Sequence, residues 1–362
     1  MTHILCVVGA RPNFMKMASI MAALKAEGFA VSLVHTGQHY DAAMNDVVFE
    51  QLNLPLPDVN LEVGSASHAQ QTGEVMKRIE PVLLEKKPDA ILVVGDVNST
   101  LAAALVAVKL GIKVVHVEAG LRSRDRTMPE EINRVLTDQI SDILFTTERQ
   151  AQGNLIAEGI AGDRVLFVGN VMIDSLRANL AGAVPPSQSA GRTLTAKGYA
   201  LVTLHRPSNV DDPDVLKPLL EVLKEIAAAM PVIIPLHPRT AARIQEFGLG
   251  DFLQAPGMLA LPPASYLAML GLMEGAALVL TDSGGVQEET TALGVPCLTL
   301  RQNTERPITI SEGTNSLVGT DPKAIRAAFD EVVANGGKRG RIPEYWDGQA
   351  ARRIAAALKA RL

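Results

Sequence analysis

TDSGGVQEE, Thr281 to Glu289, decides how this chain is read. An apolar run, Ala276–Leu280, leads into it, and an α-helical pattern, Val286–Leu293, leads out. Ser283, Gly284 and Gly285 therefore fall at a strand-to-helix junction, where the first helical N–H groups lack partners. Those free N–H groups and the helix macrodipole both favour an anion. Glu288 and Glu289 follow one turn later. A carboxylate there repels a bare phosphate but accepts hydrogen bonds from ribose hydroxyls, so the segment fits a nucleotide-sugar diphosphate better than inorganic phosphate. The same Asp-Ser-Gly-Gly run also makes a helix cap with no ligand. The other strand ends have to separate the two readings.

Outward from this segment, short apolar runs alternate with amphipathic helical patterns. Strands are expected at Ile4–Val8, Val31–Thr36, Ala90–Val94, Lys113–Val117, Ile143–Thr146 and Val165–Val168. A second set is expected at Ala200–Leu204, Val232–Leu236, Ala277–Thr281 and Pro296–Leu300. Nearly continuous Val, Ile and Leu is the mark of a parallel sheet covered on both faces. The βαβα order predicts doubly wound α/β sheets. Ala181–Lys197 has Pro, Ser and Gly and no apolar period, and reads as an exposed connection near a domain boundary. The expected organisation is two Rossmann-like parallel-sheet domains facing a central cleft. Residues 1–174 form the first and 175–347 the second; the basic C-terminal helix, 348–362, either crosses back onto the first or lies as a surface helix on the second.

Composition limits the function. The 362 residues are 47% hydrophobic and 20% charged, as in an ordinary globular enzyme. A net charge of −5 with interspersed signs argues against a nucleic-acid or anionic-membrane partner. Cys6 and Cys297 lie in separate apolar runs and read as buried thiols in a reducing compartment. Ile4–Val8 is too short for a secretory core, and no run approaches the roughly 20 apolar residues of a membrane span. A cytoplasmic location is expected.

In open parallel sheets, ligands bind beyond the carboxyl ends of the strands. GARPNFMKM, with Arg11 and Lys16, follows the first strand; GDVNST, with Asp96, follows the third; EAGLRS, with Glu118 and Arg122, follows the fourth. MPEEINR carries Glu130, Glu131 and Arg134. In the second half, HRPSN brings His205 and Arg206, HPR brings His237 and Arg239, and RQNTERP brings Arg301 and Arg306. Taken singly, each group has a plain structural explanation as a turn, a cap or a solvated helix residue. With TDSGG these make eight clusters in one predicted cleft, which favours a site for an anionic, polyhydroxylated ligand. Neither HExxH nor paired CxxC spacing is present, and neither are GxSxG and GxGxxG. What remains is acid–base chemistry by Asp, Glu and His, with Arg and Lys neutralising phosphate.

GARPNFMKM, VVGDVNST, HVEAGLRS, MPEEINR, TLHRP, LTDSGGVQEE and NTERP, in this order, resemble the signature of the UDP-N-acetylglucosamine 2-epimerases from about Val7 to Asp321. The resemblance implies a GT-B-like architecture with the C-terminal helix, 348–362, returning to the first domain, and it implies no metal, no cofactor and a homodimer. It implies C2 epimerisation of UDP-GlcNAc to UDP-ManNAc by elimination of UDP, a 2-acetamidoglucal intermediate and re-addition. Position by position, it gives Arg11 and Lys16 as cationic nucleotide contacts. Asp96, Glu118 and Glu130 are the essential carboxylates, and His205 the essential histidine. Ser283, Gly284 and Gly285 contact the diphosphate, Glu289 the ribose, and Arg306 clamps the diphosphate. Rival readings are a hydrolysing epimerase, a 2-epimerase of a modified UDP-sugar, a GT-B glycosyltransferase and a non-catalytic nucleotide-sugar sensor.

Three departures stand out. Ser208 replaces a frequent Glu after the histidine motif. Ala264 and Met269 replace a common Gln and Phe in the uracil-binding stretch, Pro262–Leu270. The loop that carries an allosteric UDP-GlcNAc site in many bacterial members reads GQHYDAAM here, with Tyr40 and Asp41 in place of basic or amide groups. An acid facing a second diphosphate is unfavourable in a low-dielectric pocket. UDP-ManNAc is therefore expected to be converted with hyperbolic kinetics and without added UDP-GlcNAc. A lag with pure UDP-ManNAc, abolished by trace UDP-GlcNAc, would overturn this.

Overall fold

Val, Ile and Leu dominate the strands because helices cover both sheet faces, leaving no solvent-facing positions for polar residues. The structure is a computed structural model and describes residues 1–38 and 54–362, apart from the Arg11 side chain. Tyr40 and Asp41 lie outside the described residues. The chain forms two compact units, Met1–Ala178 with Glu344–Leu362, and Asn179–Pro343.

The first unit holds the parallel strands β1 (His3–Val8), β2 (Ala30–His35), β3 (Val59–Asn60), β4 (Ala90–Val94), β5 (Lys113–Val117), β6 (Ile143–Thr146) and β7 (Val165–Phe167). Their order is β3-β2-β1-β4-β5-β6-β7. The second unit holds β8 (Ala200–Thr203), β9 (Val232–Pro235), β10 (Met258–Leu261), β11 (Leu278–Thr281), β12 (Cys297–Thr299) and β13 (Asn315–Leu317), also parallel. Their order is β10-β9-β8-β11-β12-β13. The ten expected strands are present with ends shifted by a residue or so. Three were not anticipated, β3, β10 and β13, and each lies at a sheet edge.

Each sheet changes winding direction once, between β1 and β4 and between β8 and β11. Connections on either side of such a point leave in opposite directions, which opens a crevice at the strand ends. The loops after β1, β4, β8 and β11 are GARPN, GDVN, HRPSN and DSGG.

The cores follow from helical spacing. In helix Pro213–Ala229, Leu216, Leu219, Leu220, Leu223 and Ile226 recur at three- and four-residue intervals, and all are fully buried. They pack with Val202, Val232, Ile234 and Leu280 of the second sheet. Each such side chain contributes about 1.5–3 kcal/mol of transfer free energy. In the first unit, Ile79 and Leu83 of helix His68–Lys86 pack with Leu5, Val7, Ile91 and Val93.

Helix Ala350–Arg361 belongs to the first unit and packs along helix Arg11–Ala26. Its buried face is Ala351, Ile354, Ala355 and Leu358, and Lys359 pairs with Glu27 at 2.8 Å. The Asp174 carboxylate accepts from Ala350 N at 3.1 Å and Ala351 N at 2.7 Å, which satisfies two orphan donors at the helix start. Trp346, 1% exposed, donates its indole N–H to the Thr147 carbonyl at 3.2 Å. Replacing Trp346 by Ala removes the largest buried side chain of this return segment. Trp346→Ala is expected to cost about 3–5 kcal/mol, read as a lower denaturation midpoint. An unchanged midpoint would show that the C-terminal return adds nothing to stability.

Candidate active site

At the β1/β4 switch point, Asn13 ties two strand ends together. Its Oδ1 accepts from Gly9 N at 3.3 Å and Ala10 N at 3.1 Å, and its Nδ2 donates to the Val94 carbonyl at 3.0 Å. One helical turn on, Lys16 is 6% exposed and its Nζ meets Glu118 Oε2 at 2.5 Å. The other oxygen, Glu118 Oε1, is buried and has no hydrogen-bond partner among the described residues. A buried carboxylate oxygen without a donor is costly.

Asp96 is gripped from helix Pro129–Ile140. Arg134 donates from Nε to Asp96 Oδ2 at 2.9 Å and approaches with Nη2 at 2.8 Å; Asn133 Nδ2 donates to the Asp96 carbonyl at 2.9 Å. The neighbouring acids of the MPEEINR motif take different roles. Glu131 is 2% exposed and accepts from Ser123 N, Arg124 N and Arg134. Burial works to raise its carboxyl, but those bonds outweigh it and hold Glu131 below the ordinary carboxylate range. Glu131 is thus a loop anchor. Glu130, at the same helix start, is half-buried and makes none of these contacts.

In the second unit, Asp282 is fully buried at the end of β11 and organises the loop after β8. It accepts from His205 N at 3.0 Å, Arg206 N at 2.9 Å and Asn209 Nδ2 at 3.2 Å, and lies 2.8 Å from His205 Nδ1. With Nδ1 on Asp282, the ring turns Nε2 away from the carboxylate, and the side chain is 34% exposed. The His237 ring lies 5.4 Å from that of His205, centroid to centroid.

Helix Gly284–Leu293 starts two residues before the predicted pattern, Val286–Leu293, and Ser283 is not a conventional cap. It occupies the N-cap position with extended backbone, and its side chain makes no capping bond. The hydroxyl and the first helical N–H groups are what an anion would meet. A Cβ on Gly284 would lie 2.7 Å from Glu305 Oε1, so a side chain there would have to displace the Glu305 carboxylate. Glu305 is held by Arg301 at 2.9 Å and by Arg206 at 3.4 Å. Arg306 is buried with its Nε 2.6 Å from Glu288 Oε1. Glu289 is buried beside the Tyr266 hydroxyl, and burial followed by the Glu289 charge raises that phenol.

Lys16, Asp96 and Glu118 therefore gather at the β1/β4 strand ends, and His205, Ser283, Gly284 and Gly285 at the β8/β11 ends. Arg11 opens helix Arg11–Ala26. Sequence reasoning missed Asn13, Asn133 and Asp282 as named site residues. All three stood inside quoted motifs, but their partners are up to 81 residues away. Burial pushes the Cys6 and Cys297 thiols up to about 12, which leaves both unsuited to nucleophilic work. Among the described residues, no group of three or more His, Cys, Asp or Glu side chains could hold a metal ion, and no helix is long and apolar enough to cross a membrane.

Residues 22–359 match the family model described as UDP-N-acetylglucosamine 2-epimerase. The chain belongs to the UDP-N-acetylglucosamine 2-epimerase family. It is 44% identical over 358 residues to the UDP-N-acetylglucosamine 2-epimerase of Methanocaldococcus jannaschii, covering 97% of each chain. It is 42% identical over 363 residues to the UDP-2,3-diacetamido-2,3-dideoxy-D-glucuronate 2-epimerase of Pseudomonas aeruginosa, covering 98% of this chain and 99% of that one. The crystal structure of the M. jannaschii epimerase in complex with UDP-GlcNAc and UDP matches with a TM-score of 0.90 at 42% identity, over 99% of this chain and all of the other. The GT-B-like pairing of two parallel-sheet α/β domains is the architecture of this epimerase family.

The Asp282–His205 pair gives a pH test. Burial works to raise the Asp282 carboxyl, but the His205 ring and the amides of Arg206 and His205 outweigh it and hold it below its usual range. Such a carboxyl adds stability that is present above its unfolded pKa, about 3.9, and is lost as pH falls through the lower folded value. Asp282→Asn is expected to lower the denaturation midpoint at neutral pH. The gap to the unmodified protein should narrow below about pH 4, where the aspartate protonates. A gap that stays constant from neutral to acid pH would show that Asp282 carries no linked charge.

Proposed function

We propose that the protein converts UDP-N-acetylglucosamine to UDP-N-acetylmannosamine without releasing the sugar. The observation that carries this reading is Glu118: a buried carboxylate with one oxygen on Lys16 and the other without a donor among the described residues, at the end of β5 beside the β4 end that carries Asp96. One carboxylate removes the C2 proton while the C1–O bond breaks and UDP leaves with the electron pair. The product is 2-acetamidoglucal. UDP then adds back at C1 as a second acid returns a proton to the opposite face of C2. Two of Asp96, Glu118 and Glu130 serve as this acid/base pair, and each face needs its own group. Lys16, Arg11 and Arg306 offset the charge of the leaving diphosphate. Ser283, Gly284 and Gly285 receive the diphosphate at the helix start, and Glu289 receives the ribose. His205, oriented by Asp282, works beside the sugar and phosphate. We place the protein in the cytoplasm as a homodimer.

UDP-GlcNAc in deuterated water tests the reaction. Deuterium at C2 with UDP retained supports it; free N-acetylmannosamine and UDP would mean the hydrolysing outcome. The 42% identity to the P. aeruginosa enzyme favours one further reading, epimerisation of a UDP-diacetamido uronate. A higher kcat/KM on that sugar than on UDP-GlcNAc would replace the first reading.

Asp96→Asn, Glu118→Gln and Glu130→Gln are each expected to lower kcat by about 10²–10⁴-fold with the fold intact. Wild-type rates in all three would remove the active site from these residues. UDP is expected to bind with undiminished affinity in EDTA by calorimetry, and loss of binding on chelation would refute metal-free recognition.

A further inference from the structure

Between the two carboxylate loops of the first unit sits a buried histidine that the reaction above does not use. His116, on β5, and Asp138, near the end of helix Pro129–Ile140, are both 0% exposed. His116 Nδ1 lies 2.7 Å from Asp138 Oδ1, and His116 Nε2 lies 2.8 Å from the Gly95 carbonyl oxygen. A carbonyl only accepts, so Nε2 donates to it. Nδ1 faces the Asp138 carboxylate. Both ring nitrogens are thus engaged by protein groups, in a ring with no solvent exposure, and neither is open to a substrate. The role left for His116 is a mechanical one.

The ring spans two loops. Gly95 immediately precedes Asp96, and the Gly95 N–H itself donates to the Val117 carbonyl at 3.1 Å, next to Glu118. The second oxygen of Asp138 reaches the other side of Glu118: it accepts from Gly120 N at 3.1 Å and faces Arg122 Nη2 at 2.7 Å. Between these anchors Glu118 adopts a left-handed backbone, φ 69°, an unfavourable conformation for a residue with a side chain. Gly95 is also left-handed, φ 72°, and a Cβ there would lie 3.4 Å from Glu118 Oε2. The two loops are thus fastened to one another through one imidazole and one carboxylate.

We propose that His116 and Asp138 act as one positioning unit that fixes the spacing of Asp96 and Glu118, so that removing either lowers turnover without weakening nucleotide binding. The kinetic part of this inference rests on the epimerase reading. A misplacement of about 1 Å at a reacting group costs on the order of 10²-fold in rate.

The test uses the full chain with His116→Gln, Asp138→Asn and the double variant. Amide hydrogen exchange by mass spectrometry should rise in both the Gly95–Asp96 and Glu118–Gly120 segments, and not in the second unit. On UDP-GlcNAc, kcat should fall by about 10²-fold, with KM and UDP affinity within about twofold of the unmodified protein. The double variant should be no slower than the slower single variant, because the two residues act as a unit. Wild-type kcat with unchanged exchange in either folded variant would overturn the proposal. So would a rise in exchange across the whole first unit, which marks general core damage. Should His116→Gln fail to fold, the near-isosteric Asp138→Asn decides alone. Should the unmodified protein leave UDP-GlcNAc unchanged, the epimerase reading falls, and the exchange pattern still decides whether His116 and Asp138 couple the loops.

Discussion

Asp282 carries a charge with none of its side chain in contact with water, and a charge so placed has to be compensated. The compensation comes from the His205 ring, two backbone amides and Asn209. These donors are the loop that follows β8. The requirement to satisfy one buried carboxylate therefore dictates the path of the HRPSN segment and the tilt of its histidine. Asp138 imposes the same constraint in the first unit, where the His116 ring, Gly120 N and Arg122 converge on it. In both units a buried aspartate holds a histidine and the amides of a strand-end loop.

Against apolar residues of the same shape such an arrangement gains little net stability, although removing one partner alone is costly. Removing two charges from water costs several kcal/mol per ion, and a well-made pair only roughly offsets this. What it does provide is intolerance of alternatives. A buried aspartate with all its donors in place has one low-energy geometry, whereas an apolar contact tolerates sliding. In the proposed reaction, acid–base groups that meet opposite faces of one sugar carbon need that kind of definition. Lys16 against Glu118 and Arg134 against Asp96 extend the principle to the carboxylates proposed to react.

Much of the fold was legible in the sequence. Runs of Val, Ile and Leu report burial on both faces, and ten strands followed from them. The three that escaped, Val59–Asn60, Met258–Leu261 and Asn315–Leu317, sit at sheet edges and are only partly buried. An edge strand has one neighbour and a half-solvated face, so Val59–Asn60 and Asn315–Leu317 form no apolar run, whereas Met258–Leu261 is apolar throughout and was simply passed over. The strand-end motifs were equally legible, because Gly, Pro and ionisable residues clustered after apolar runs have few reasons to recur eight times. Their resemblance to the epimerase signature agreed with the family match over residues 22–359.

What the sequence by itself determined, then, was the alternation of elements and the polar content of their ends. Which polar groups meet was decided only by the tertiary structure. Asp282 and His205 are 77 residues apart, and His116 and Asp138 are 22 apart on different elements; periodicity reports whether a side chain is buried and says nothing about its partner. Glu130 and Glu131 show the limit most plainly. They are identical and adjacent, yet one step of about 100° around a helix sends Glu131 inward onto Ser123, Arg124 and Arg134 and leaves Glu130 half-exposed. The packing of helix Pro129–Ile140 against its neighbours sets that rotation, and a pair of like letters in a sequence carries no record of it.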